Sequence, residues 1–103
     1  MAPRIERFSD TSWQDVGDSA RQKLIDDGEK RVRLLKLDPG FQEPDWCTRG
    51  HTGYIIDGTL EMEFPEGDKV VFSTGDALLL SSGMPHKART GAGPALLFLV
   101  DDI

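Results

Sequence analysis

Residues 75–86 read Gly75-Asp76-Ala77-Leu78-Leu79-Leu80-Ser81-Ser82-Gly83-Met84-Pro85-His86. A Gly-Asp turn opens the stretch, four apolar residues follow, and a Ser-Ser-Gly turn leads through Pro85 to a histidine. An apolar run this short, closed at both ends by glycine turns, has the length of a strand rather than a helix. The same punctuation extends outward. Upstream, Leu60, Met62 and Phe64 alternate with Glu61 and Glu63, which predicts a half-buried antiparallel strand. Asp57-Gly58 predicts a tight turn at positive φ between strands 51–57 and 59–65. The runs Ala77–Leu80, ahead of Ser81-Ser82, and Ala95–Val100 are continuously apolar, as strands buried on both faces are. Nearer the N-terminus, Asp27-Gly28 lies between Leu24-Ile25 and the run Arg31–Leu37. It favours a hairpin of strands 20–25 and 30–38, although Ser19 followed by ARQKLIDD also suits a helix start. Residues 3–8 suit an edge strand beginning at Pro3, and residues 9–19 a loop. At most one short helix is expected, near residues 10–25.

The expected architecture is therefore all-β: about eight short strands in 103 residues, the pattern of a barrel or double-sheet jelly roll. Residues 1–19 form an N-terminal arm or edge strand and residues 20–103 one barrel. A net charge of −6 disfavours nucleic acid and anionic membranes as partners. No apolar run approaches the roughly 20 residues of a membrane span. The N-terminus lacks a signal peptide's apolar stretch. The single cysteine, Cys47, rules out an internal disulfide and suits a reducing cytoplasm. Residues 51–103 carry 3 basic and 8 acidic residues, read as a solvated acidic surface. A barrel this small has a high surface-to-volume ratio. A homodimer is expected, with Ile5 and Phe8 extending a sheet edge of the second subunit.

Two histidines are present, His51 and His86, each after a turn and at the start of an expected strand. Their contexts carry a family signature. Gly75–His86 resembles the second motif of the cupin family: Gly-Asp, three or four apolar residues, a short Gly-containing turn, then Pro-His. It departs at Ser81, where Pro is usual, and at Thr90, where the motif often ends in Asn. His51-Thr52-Gly53-Tyr54-Ile55-Ile56-Asp57-Gly58 is similar to the end of the first cupin motif, with His51 at the position of the metal-binding Glu. Together the two stretches cover residues 45–58 and 75–90.

The resemblance implies a single-domain cupin jelly-roll barrel binding a small organic molecule at a divalent metal (Zn, Fe, Ni or Mn). Typical cupins use a His-x-His pair, a Glu and the second-motif His; the corresponding residues here are Asp45, Cys47, His51 and His86. Every one of these types binds metals. His51, His86 and Asp45 match the two-imidazole, one-carboxylate facial triad of non-haem Fe(II), whereas a Cys47 thiolate shifts preference toward Zn(II). Glu43 is an alternative to Asp45, and a vestigial, empty site is an alternative to both.

Around this set, Arg49 suits a ligand carboxylate or a solvated loop charge. Trp46 suits a pocket wall or a lid on the core. Tyr54, out of phase with His51, is expected to face outward. A Cys47–His51 nucleophilic pair lacks an orienting third group in the sequence. The functional expectations are a metal-dependent dioxygenase, isomerase or lyase, or a non-catalytic sensor or storage module with the same pocket.

Overall fold

The computed structural model describes residues 3–102, without the side chain of Asp102; Met1, Ala2 and Ile103, which the expected arm and barrel include, lie outside the described residues. Eight strands form: β1 (Gln14–Asp15), β2 (Ala20–Asp26), β3 (Lys30–Leu37), β4 (His51–Glu63), β5 (Lys69–Ser73), β6 (Ala77–Leu80), β7 (Lys87–Arg89) and β8 (Ala95–Asp102). All pairings are antiparallel. The larger sheet runs β1-β2-β3-β8-β4, with β6 on the other edge of β4; β5 and β7 flank the second half of β4 in the smaller sheet. The two sheets share β4 and enclose one core, a jelly-roll arrangement. No helix among the described residues is long and apolar enough to cross a membrane.

The Asp27-Gly28 hairpin forms as the sequence favours. Gly28 has φ +94°, and the Asp27 carboxylate accepts the N–H groups of Glu29 (3.0 Å) and Lys30 (2.9 Å), an Asx turn. Ala20 therefore pairs with Leu37 and Asp26 with Arg31.

Asp57-Gly58 behaves differently. No turn forms there: β4 is one continuous strand of 13 residues. Its pairing with β8 slips between Ile55 and Asp57, which oppose Leu97 and Leu96. The slip leaves Ile56 as an extra residue, a β-bulge that bends the strand. It also reverses the side-chain phase. Ile55 points inward before the bulge, and Leu60 and Met62 after it, so the odd set and the even set both line one interior. Gly58 is needed at this corner. Its φ is +99°, and a Cβ there would stand 2.2 Å from the Pro94 carbonyl oxygen.

Three other expectations need correction. Residues 3–7 form no strand, and Phe8–Asp10 is a 3₁₀ turn. This segment packs on the outer face of its own sheet: the Phe8 ring meets Phe98 edge-on at 6.4 Å and Lys23 Nζ donates to the Phe8 carbonyl at 2.9 Å. The run Ala77–Leu80 is buried on one face only, with Leu78 inside and Leu79 79% exposed. In β8, Ala95, Leu97 and Leu99 are buried while Leu96, Phe98 and Val100 are half-buried on the outer face. The core comprises Leu37, Ile55, Leu60, Met62, Leu78, Leu97 and Leu99, with Ala20, Ala88 and Ala95.

Candidate metal centre

Cys47 and His86 face each other across an isolated bridge, each N–H donating to the other's carbonyl at 2.9 Å. Directly opposed residues in an antiparallel pair project to the same side, so this bridge sets a thiol beside an imidazole. The Gly83 N–H donates to the Thr48 carbonyl at 2.8 Å, tying the second-motif turn to the loop that carries Cys47. His51 is the first residue of β4 and pairs with Leu80. Its ring meets that of His86 at 78° with centroids 5.7 Å apart. One candidate ligand atom from each of Cys47, His51 and His86 lies within 4.8 Å of the other two.

Both imidazoles are fixed in the same sense. His86 is buried, and its Nδ1 lies 2.9 Å from the Met84 carbonyl oxygen. His51 Nδ1 lies 3.2 Å from Asp101 Oδ1. A carbonyl and a carboxylate only accept, so each Nδ1 carries the proton and each Nε2 presents a lone pair. Asp101 is itself buried. Its second oxygen accepts from Arg33 Nε at 2.8 Å, and Arg33 Nη1 reaches Gln22 at 3.2 Å. Burial holds the His51 pKa below the ordinary imidazole value; the hydrogen bond and charge of Asp101 oppose this without reversing it, and Arg33 and His86 lower it further. Neutral imidazole is the form that binds metal.

These residues fit a divalent ion. Their ligand atoms, all within 4.8 Å of one another, approach the roughly 3.3–3.7 Å separations of a tetrahedral ion's ligands. Three protein ligands leave a coordination position open for an exchangeable molecule. The thiolate with two imidazoles suits Zn(II) and other ions tolerant of sulfur.

The other candidates stand apart from this cluster. Asp45, which the resemblance implied as a ligand beside Cys47, is exposed in a bend of the loop. Glu43 borders the cavity but its Oε1 accepts the Ala88 N–H at 2.9 Å. Arg49 lines the cavity from an exposed position. Trp46 is 43% exposed, carries Lys87 Nζ over its ring at 4.7 Å and does not border the cavity. Tyr54 faces outward, 47% exposed. Sequence reasoning missed Asp101 and Arg33. The signal for Asp101 was its phase, two residues beyond Leu99 on the inward face of β8. Asp101 also supplies the orienting group for His51 that no motif in the sequence supplied.

The cluster opens on a cavity of about 370 Å³ within the barrel, walled by Leu35, Phe41, Leu60, Met62, Leu97 and Leu99 among others. That volume lies at the small end of the roughly 300–1,000 Å³ range of small-molecule sites.

Sequence comparison with functionally curated proteins gives no match. The fold has many solved relatives. The polyketide cyclase RemF from Streptomyces resistomycificus superposes with a TM-score of 0.82 at 18% identity, over 99% of this chain and 80% of that one. KdgF from Halomonas sp. gives 0.81 at 24% identity, over 98% and 94%. An RmlC-like cupin from Shewanella frigidimarina gives 0.80 at 14%, over 98% and 91%. At these identities the likeness is one of fold. The cupin domain model matches residues 33–101, a span that holds both histidines, Cys47 and Asp101, and the chain belongs to the cupin family.

Proposed function

We propose that this protein binds a small organic molecule at a divalent metal held by His51, His86 and Cys47 inside the barrel. One observation carries the reading: both Nδ1 atoms are committed, to Asp101 and to the Met84 carbonyl, which leaves each Nε2 a free lone pair on two imidazoles that cluster with Cys47. Zn(II) is the ion the donor set favours. When bound, the ion acts as a Lewis acid and template for ligand oxygens. The chain does the rest. Asp101 and Met84 orient the imidazoles, the apolar wall excludes water, and Arg49 at the mouth meets a ligand's negative charge. Whether turnover follows depends on a group that moves protons. Glu43, which borders the cavity, is the carboxylate placed for that role. Without such a role the same pocket is a sensor or storage module.

The test is a thermal scan of chelated protein with and without added zinc. A metal-dependent rise in Tm that disappears in His51→Ala supports the reading. An equal rise in wild type and His51→Ala refutes it.

The protein is further proposed to act as a homodimer. Leu79, at 79% exposed, and Tyr54, at 47%, are large apolar or aromatic groups left uncovered on the outer sheet face, and a second subunit would cover them. Light scattering at micromolar concentration should give twice the chain mass; a monomer mass would exclude this assembly.

A further inference from the structure

The chemistry of the cavity wall narrows the ligand class. Protein interiors are close-packed, and voids larger than a water are few. A space of about 370 Å³ bordered by Leu60, Met62, Leu97 and Leu99, each only 2% exposed, is therefore not ordinary core. At about 30 Å³ per water it has room for roughly a dozen water-sized groups.

Among the described residues, no Ser, Thr, Asn, Gln, Tyr or Trp side chain borders this space. Its polar side chains are few and largely committed. Arg33 is engaged by Asp101 and Gln22, and one oxygen of Glu43 by the Ala88 N–H. The remaining ones, His51, His86 and Cys47, sit together, and Arg33 is joined to them through Asp101. Among the described residues, Arg49 is the one cavity-lining cation at an exposed position. Polar chemistry is thus gathered around the histidines, and the greater part of the wall is hydrocarbon. A polyhydroxylated body placed against that wall would leave its hydroxyls without partners, at a cost for each.

We infer that the ligand is an amphipathic monoanion: an apolar body seated against Leu35, Phe41, Leu60, Met62 and Leu97, with a single carboxylate-type head at the histidine cluster and Arg49. The head group rests on the metal reading given above. The apolar body does not, because the wall is the same with or without an ion.

Titration calorimetry with butanoate, hexanoate, octanoate, hexan-1-ol and gluconate tests this, on zinc-loaded and on chelated protein. Affinity should rise about threefold to fourfold per added methylene from butanoate to hexanoate. The same rise should appear after chelation. Gluconate, with the same head and carbon count as hexanoate, should bind at least tenfold more weakly. Arg49→Gln, at an exposed position that should not affect folding, should weaken hexanoate severalfold and leave hexan-1-ol unchanged. Gluconate binding as tightly as hexanoate, or no dependence on chain length in either form, overturns the inference. Failure of the metal reading looks different: chain-length dependence persists, but zinc changes neither Tm nor carboxylate affinity.

Discussion

His51 Nδ1 and Asp101 Oδ1 lie 3.2 Å apart, and the same carboxylate holds Arg33 Nε at 2.8 Å. One buried carboxylate from the last strand thus sets the tautomer of an imidazole on β4 and neutralises a guanidinium on β3. Three strands are joined through it, and the imidazole's Nε2 is left with a free lone pair.

Removing that carboxylate should be costly. In Asp101→Ala the Arg33 charge, on a side chain only 13% exposed, loses its partner. A loss of about 3–5 kcal/mol is expected, the scale for breaking a buried pair. Replacing both members, as Arg33→Met with Asp101→Leu, should recover most of it. Urea unfolding at neutral pH measures both variants; equal destabilisation by the single and double changes would contradict a buried pair.

The depressed His51 pKa gives a pH dependence with a definite sign. The unfolded chain, whose histidine has the ordinary value near 6.5, binds more protons than the folded one below that pH. Chelated protein should therefore lose stability as pH falls from about 6.5 toward the folded-state value. His51→Gln removes the titrating group, so its Tm should fall less steeply over the same window. Parallel curves for the two proteins would show that His51 does not contribute.

Gly58 and Gly28 offer a paired test of the bulge. Both have positive φ, but a Cβ at Gly28 meets nothing within 4 Å, whereas one at Gly58 meets the Pro94 backbone. Gly28→Ala should cost roughly 1–2 kcal/mol, from backbone strain alone. Gly58→Ala should exceed it, beyond the ~1–3 kcal/mol of strain, because backbone cannot move aside cheaply. Chemical denaturation of the two variants measures the difference, and equal costs would contradict the close approach of β4 to Pro94.

Cys47 tests the third ligand. In Cys47→Ser the backbone bridge to His86 persists, while a soft thiolate is replaced by a hydroxyl. Zinc affinity, read by competition with a chromophoric chelator, should fall at least tenfold. An unchanged affinity would remove Cys47 from the ligand set.

Much of the fold was legible because it follows from local rules. Asp27-Gly28 set the first hairpin, and the Leu60–Met62 alternation gave the inward face of β4's second half. What failed was non-local. Asp57-Gly58 has the chemistry of a turn, yet β8 runs alongside and pairs past it, so the same residues make a bulge in an unbroken strand. Leu79 sits in an apolar run that periodicity cannot assign to one face or two. At the site, His51 and His86 were marked by their motifs, and Cys47 by its correspondence to the family's His-x-His pair. Asp101 carried no motif, because its role depends on which strand lies beside β4. Asp45 shared that correspondence with Cys47, but the loop bends at Asp45 instead of running as a strand.

Metal stoichiometry tests the centre most directly. Wild type, His51→Ala, His86→Ala and, as an outward-facing control, Tyr54→Phe are loaded with zinc, dialysed against metal-free buffer and analysed by mass spectrometry of the metal. Wild type and Tyr54→Phe should retain about one zinc per chain. Both histidine variants should fall to background while keeping the far-ultraviolet dichroism of a β-sheet protein. Equal zinc content in wild type and the two histidine variants would contradict a metal centre at His51 and His86.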